Sequence, residues 1–132
     1  MSSIVIVGAQ WGDEGKGKVV DLVTERAELV VRYAGGPNAG HTLVVGGEKL
    51  IVRLVPSGIL QPHSVCAMGQ GMVIDPAVLV GEIGALGQRG IKTTGRLFIS
   101  DRAHVILPHH ILVDGLREGA TGGQKLGTTK KG

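Results

Sequence analysis

A glycine-rich loop near the start of the chain carries the residues best suited to chemistry. Its order is Gly12, Asp13, Glu14, Gly15, Lys16, Gly17, Lys18. Two glycines five apart followed by lysine have the spacing of a phosphate-binding loop. The Ser or Thr that would next hold Mg²⁺ is replaced by Val19. The loop's two carboxylates would repel a polyphosphate, so the pattern predicts that one of them holds a metal ion or removes a proton.

The residues around this loop predict the elements that position it. Residues 3–7 are mostly apolar and β-branched, as in a strand buried on both faces. After Lys18, apolar residues fall at helical spacing, which predicts a helix to about Thr24 or Arg26. The loop would then lie at the helix N-terminus, where free N–H groups and the dipole favour an anion.

A second glycine-rich stretch, residues 35–42, follows a predicted second strand at residues 29–33 and contains Asn38 and His41. Ligands of parallel α/β sheets bind at the carboxyl ends of the strands. The two loops could therefore face one ligand. A histidine held there could stabilise the charge of a transferring phosphoryl group.

The remaining sequence alternates predicted strands and helices. Gly46-Gly47 predicts a hairpin turn between strands at 42–45 and 49–52, and Asp75-Pro76 predicts a capped helix start. Further predicted elements are strands at 65–68, 97–99 and 105–107, a flexible stretch at 69–71, and a helix at 110–117. This order predicts an α/β domain with a largely parallel sheet.

Composition narrows the class of protein. The 132 residues are 42% hydrophobic but 2% aromatic, which is enough for one domain with an aliphatic core. The net charge is +3, without a basic stripe and stacking aromatics, so we expect phosphorylated small molecules rather than nucleic acid as partners. Cys66 is the only cysteine and predicts a buried small hydrophobe.

The four histidines outside the glycine-rich stretches predict surface or structural roles, because no ligand set has zinc-like spacing: His63, His104, His109 and His110. The sequence shows no secretory signal and no apolar run near the ~20 residues of a membrane helix. We therefore expect a cytoplasmic protein without a membrane partner.

Three motifs in order resemble the adenylosuccinate synthetase family: Gln10–Lys18, Gly35–Thr42 and Gly127–Gly132. The resemblance covers the whole chain, whereas chains of that family are several-fold longer. It therefore implies a truncated N-terminal portion, with residues 1–132 forming a single α/β nucleotide-binding domain. The implied fold is like that of P-loop NTPases, with a mixed, mainly parallel sheet.

The resemblance implies a ligase of purine biosynthesis on the branch to AMP, which joins L-aspartate to IMP and converts GTP to GDP and phosphate. Asp13 would take the proton from N1 of IMP, so that the 6-oxygen attacks the γ-phosphate and forms 6-phosphoryl-IMP. His41 would hydrogen-bond to the phosphoryl group, and Lys16 would be a point charge near it. The aspartate amine would then displace phosphate.

The resemblance also implies which residues bind each ligand. The GTP-binding set is Gly12, Asp13, Glu14, Gly15, Lys16, Gly17, Lys18, Gly40, His41 and Thr42. The IMP-binding set is Asp13, Glu14, Gly15, Lys16, Asn38, Ala39, Gly40, His41 and Thr129. Mg²⁺ would be held by the Asp13 carboxylate and the Gly40 carbonyl, which would account for Val19.

Guanine recognition and aspartate binding are implied to lie beyond residue 132, and the full-length enzyme is implied to be a homodimer. We therefore expect the isolated chain to be inactive. Two alternatives stay open. One is a non-catalytic nucleotide-binding fragment. The other is a different P-loop NTPase or kinase, for which Asp101 is the candidate second metal ligand.

Overall fold

The computed structural model describes residues 2–8, 16–38 and 40–120. The helices are α1 (Lys16–Thr24), α2 (Pro76–Gln88) and α3 (Pro108–Ala120), with a 3₁₀ helix at Ser57–Leu60. The strands are β1 (Leu29–Gly35), β2 (His41–Val45), β3 (Glu48–Val52), β4 (Val65–Ile74), β5 (Leu97–Ile99) and β6 (His104–Val105). Each helix predicted from the sequence is present.

Strand β4 is the centre of a parallel sheet. It pairs with β1 on one side and β5 on the other, and its last residues pair with β6. Strands β2 and β3 form a separate antiparallel hairpin. Its turn residues Gly46 and Gly47 have φ of 57° and 85°, as the predicted two-residue hairpin turn requires. The prediction of an α/β chain with a mainly parallel sheet is confirmed.

The predicted first strand was wrong. Residues 2–8 belong to no helix or strand, and Ile4, Val5 and Val7 are exposed. A buried parallel strand needs a neighbouring strand to pair its backbone and layers to cover its faces. The apolar pattern of residues 3–7 is evidence for covered faces but not for a neighbouring strand. In the structure the segment pairs with no strand of the sheet.

The prediction that residues 69–71 are flexible was also wrong, because β4 continues through them to Ile74. A Cβ built on Gly71 would lie 2.6 Å from the carbonyl oxygen of Tyr33 on β1. The register between the two strands also shifts between Arg32 and Ala34. The glycine is therefore needed for close backbone approach at an irregular point of the pairing.

Helix α2 begins as the sequence predicts. The Asp75 carboxylate accepts hydrogen bonds from the N–H groups of Ala77 and Val78, and Pro76 occupies the first turn. The helix ends at Gln88, and Gly90 follows with φ of 75°. No helix in the described part of the chain is long and apolar enough to cross a membrane.

The core lies between the hairpin, α2 and one face of the sheet. Its most completely buried members come from the segment after the hairpin, from the 3₁₀ helix, from β4 and from α2: Leu54, Ile59, Cys66, Met68, Met72 and Leu86. As predicted, it is aliphatic, and Cys66 behaves as one of its small apolar members. Burial raises the pKa of the Cys66 thiol to about 11, with Arg96 opposing the shift, so the thiol stays protonated near neutral pH.

One carboxylate is buried in this core. Glu82 on α2 is 7% exposed and accepts hydrogen bonds from the backbone N–H groups of Arg53, Leu54 and Val55 at 2.6–3.2 Å. These three residues connect β3 to the 3₁₀ helix and belong to no regular element. The carboxylate therefore supplies acceptors that a strand or helix would otherwise provide.

We expect Glu82→Gln to lower the free energy of unfolding by about 2–4 kcal/mol, because an amide NH₂ would face backbone donors inside the protein. Urea denaturation followed by circular dichroism measures this. Glu48→Gln is the matched control: Glu48 is 75% exposed and pairs with Arg89 only at 3.4 Å, so its loss should cost under about 0.5 kcal/mol. Equal stability of the two variants would contradict the role given to Glu82.

Candidate functional site

The first turn of α1 carries the described end of the glycine-rich loop. Lys16, Gly17 and Lys18 open this helix, whose first turn contains no acidic residue. Two lysines at a helix N-terminus oppose the helix dipole, so they lower helix stability and favour an anion there. The Lys16 side chain lies against the backbone of Gly8, with Nζ in the space that a Cβ on Gly8 would need.

Several residues predicted for the site lie outside the described residues: Gly12, Asp13, Glu14, Gly15, Ala39 and Thr129. The other predicted site residues are described: Lys16, Gly17, Lys18, Asn38, Gly40, His41 and Thr42. They come from the start of α1 and from the loop that leads into β2.

His41 brings these two segments together. It is the first residue of β2, and its ring lies directly over the first turn of α1. A Cβ built on Gly17 would overlap ring atoms of His41, including Nδ1. Glycine at position 17 is therefore required by the approach of the imidazole, whatever else the loop binds. The two glycine-rich stretches therefore touch at this contact.

The imidazole is held by a carboxylate that the sequence interpretation missed. His41 Nε2 lies 2.9 Å from each carboxylate oxygen of Asp21. A carboxylate only accepts, so Nε2 carries the proton and Nδ1 faces the first turn of α1. Gly17 and Asp21 are four residues apart and lie on one face of the helix. That spacing was the available signal: a small residue followed one turn later by a carboxylate.

The remaining described site residues are open to solvent. Asn38, Gly40 and Thr42 are exposed, whereas Pro37 between the loop and β1 is buried. Of these, Thr42 lines a cleft of about 270 Å³, together with Asp21 and the 3₁₀ helix among others. The loop is therefore anchored at its start and presents its polar groups at its tip.

Metal ligands were predicted at Asp13 and the Gly40 carbonyl. Within residues 2–8, 16–38 and 40–120, no three His, Cys, Asp or Glu side chains gather closely enough to hold a metal ion. Gly40 is exposed, so its carbonyl oxygen belongs to an accessible loop end. A carboxylate and a carbonyl are the hard oxygen donors that Mg²⁺ prefers, so this pair of groups fits that ion chemically.

The other histidines have no place in this site. His63, His104, His109 and His110 are all exposed. His110 Nδ1 accepts a hydrogen bond from the N–H of Leu107 at the start of α3, which is a structural role. The sequence prediction of surface or structural histidines is confirmed.

We expect Asp21→Ala to free the His41 ring with little loss of stability. The two side chains are 32% (His41) and 40% (Asp21) exposed, and pairs this exposed contribute under about 1 kcal/mol. Ring ¹⁵N chemical shifts should change from the fixed Nε2–H form to a mixture of tautomers. Glu25→Ala removes a neighbouring carboxylate that lines the same cleft and should leave those shifts unchanged. An unchanged ring spectrum in Asp21→Ala would contradict the pairing.

Comparison with known proteins places this chain in a family. A family model for adenylosuccinate synthetase matches residues 5–132. The adenylosuccinate synthetases of Sorangium cellulosum (strain So ce56) and Myxococcus xanthus (strain DK1622) are 74% and 62% identical to the chain over its whole length. The chain spans only 31% and 30% of the lengths of these curated relatives.

Solved structures agree. The fully ligated adenylosuccinate synthetase of Plasmodium falciparum superposes with a TM-score of 0.81 at 40% identity, over 94% of this chain and 29% of that one. A succinoaminodeoxyadenylate synthetase of cyanophage S-2L, bound to dGMP and dATP, gives 0.64 at 31% identity, over 86% of this chain and 31% of its own. The predicted P-loop NTPase-like fold is confirmed, and the chain belongs to the adenylosuccinate synthetase family.

Proposed function

We propose that this chain is the phosphate- and IMP-facing part of an adenylosuccinate synthetase, a GTP-dependent ligase of AMP synthesis. The observation that carries the proposal is the contact of His41 with the first turn of α1. It joins the helix end that follows the phosphate-loop sequence to the loop that carries Asn38 and Gly40. One bound ligand could therefore reach both.

The α1 N-terminus is suited to the phosphates of GTP. The N–H groups of its first turn have no acceptor within the helix, and Lys16 and Lys18 add positive charge at the same end. Gly17 leaves room for His41, which would hydrogen-bond to the phosphoryl group in transfer. Residues 12–18 and 40–42 would form the GTP-binding set.

The proposed reaction first converts the 6-oxygen of IMP into a leaving group. Asp13 takes the N1 proton, the 6-oxygen attacks the γ-phosphorus of GTP, and the β–γ bridging bond breaks to release GDP. The aspartate amine then attacks C6 and phosphate leaves, which gives adenylosuccinate. Position 13 precedes α1 by three residues in the sequence, and His41 lies over the first turn of that helix, so a base and a charge-stabilising group could act on opposite ends of the transfer.

IMP would be held by residues 13–16, 38–41 and 129. Within this set, Asn38 and Gly40 are exposed at the loop tip, where an incoming nucleotide could reach them. Mg²⁺, bound by the Asp13 carboxylate and the Gly40 carbonyl, would neutralise charge on the phosphates. The Val19 side chain, 51% exposed, takes no part in this set.

Partners and assembly are proposed for the whole enzyme, since the chain spans about a third of its relatives' length. They are L-aspartate as the third substrate, a homodimer, and a cytoplasmic location. The 132-residue chain alone is proposed to bind GTP and IMP without completing the reaction.

We expect amide resonances of residues 16–18 and 38–42 to shift in a ¹H–¹⁵N spectrum when Mg²⁺ and GTP, and then IMP, are added to this chain. The reason is that the helix end and the loop tip form one surface around His41. ATP is the control nucleotide, and α3 amides, such as those of residues 111–116, are the internal reference. A well-dispersed spectrum that responds to neither GTP nor IMP would contradict the proposed site. ATP binding without any response to IMP would instead support the kinase alternative.

We expect His41→Ala and Asp13→Ala to abolish turnover in a full-length adenylosuccinate synthetase that contains this sequence, measured as adenylosuccinate formation. Loss of one such transition-state interaction lowers the rate about 10²–10³-fold. His63→Ala, which alters an exposed histidine outside the site, should leave turnover unchanged. Near-normal turnover in either site variant would refute the role given to that residue.

A further inference from the structure

The loop and hairpin that carry half of the proposed site follow β1 in the chain. Their first and last residues come together at one place. This excursion, residues 36–54, begins just after β1 and ends just after β3. Both of its ends lie against the side chain of Arg32 on β1. Arg32 Nη2 donates to the carbonyl oxygen of Gly36 at 3.1 Å, and Nη1 donates to those of Arg53 and Leu54, the latter at 3.3 Å.

The guanidinium therefore closes the base of the excursion. Its planar fork places donors toward two separate chain segments at once, which a lysine ammonium on a flexible stem does not reproduce. On the other side of the same returning segment, the Glu82 carboxylate accepts from the N–H groups of Arg53 and Leu54. The carbonyl groups of this segment are thus bound by the Arg32 cation, and its N–H groups are bound by the Glu82 anion.

Burial supports a fixed rather than a loose attachment. Burial lowers the pKa of the Arg32 guanidinium, and the nearby Glu82 carboxylate opposes that shift. Pro37, next to the bonded Gly36, is buried, whereas Asn38 and Gly40 beyond it are exposed. The excursion is therefore buried beside the carbonyl group of Gly36 that Arg32 binds and exposed at residues 38 and 40.

We propose that Arg32 is a positioning residue for His41: by tying Gly36 to the hairpin exit, it sets where the imidazole stands over α1. Among the described residues, its guanidinium donates to backbone carbonyls at both ends of the excursion, so it acts on His41 through the chain. The inference rests on the proposed function only in that residues 38–42 are taken as ligand contacts.

The test compares Arg32→Lys with Arg96→Lys in the 132-residue chain. Arg96 is a matched control, because its guanidinium also donates to backbone carbonyls of several segments, those of Ile59, Gln61 and Ser64 among them, but not of the excursion base. Both variants keep the positive charge and lose the fork. Urea denaturation should show that both are destabilised, and ¹H–¹⁵N and ring ¹⁵N spectra follow residues 36–41.

Arg32→Lys should shift the amide resonances of residues 36–41 and abolish the fixed Nε2–H signal of His41, whereas Arg96→Lys should do neither. Unchanged resonances in Arg32→Lys, or equal changes in both variants, would overturn the proposal. The outcome does not depend on nucleotide binding. If neither GTP nor IMP binds the unaltered chain but only Arg32→Lys moves His41, the proposed function fails and the positioning role stands.

A measurement on the unaltered chain covers the case in which Arg32→Lys does not fold. A guanidinium that bridges two segments rotates slowly, so separate Nη resonances of Arg32 should be visible, with nuclear Overhauser contacts to Gly36 and Leu54. A single averaged Nη resonance without those contacts would overturn the proposal.

Discussion

The structure depends on how residues 53–55, which lie outside any helix or strand, obtain hydrogen-bond partners for their backbone groups. Leu54 and Val55 are buried, and the chain at 53–55 turns from the hairpin toward the 3₁₀ helix without a neighbouring strand. Buried backbone groups without partners cost about 1–3 kcal/mol each. Glu82 meets this need on the N–H side and Arg32 on the carbonyl side. The desolvation of two charged groups is offset by several charge-assisted hydrogen bonds to one segment.

This arrangement links the core to the site. The segment that α2 holds through Glu82 is also the end of the hairpin, and the other end of that hairpin begins at His41. Packing of α2 therefore bears on where the imidazole stands, although α2 contributes no side chain to the proposed ligand contacts. A core carboxylate and a β-strand arginine thus influence the site through backbone geometry.

Local signals in the sequence predicted much of the fold. The Gly46-Gly47 turn, the Asp75-Pro76 cap and the helix after Lys18 each depend on residues close in sequence, and each is present. The failures depend on distant partners. Whether residues 3–7 pair with a neighbouring strand, and whether Gly71 bends or continues a strand, is decided by backbone elsewhere in the chain, which no apolar pattern records. The Glu82 carboxylate was likewise indistinguishable from a solvated helix residue.

The site was predictable as far as the motifs reach. They singled out His41 and the start of α1, but not Asp21, whose partner lies twenty residues away. That pairing constrains the proposed chemistry. With Nε2–H donating to Asp21, a hydrogen bond from Nδ1 to a phosphoryl oxygen requires that the ring carry both protons. The other route is that the ring turns and gives its Nε2–H to the phosphoryl group, which leaves Asp21 without this donor. In both routes the ring must already lie over the first turn of α1. The reaction therefore requires that the start of β2 be held at a fixed distance from this helix. The hydrogen bonds at the base of the excursion set that distance.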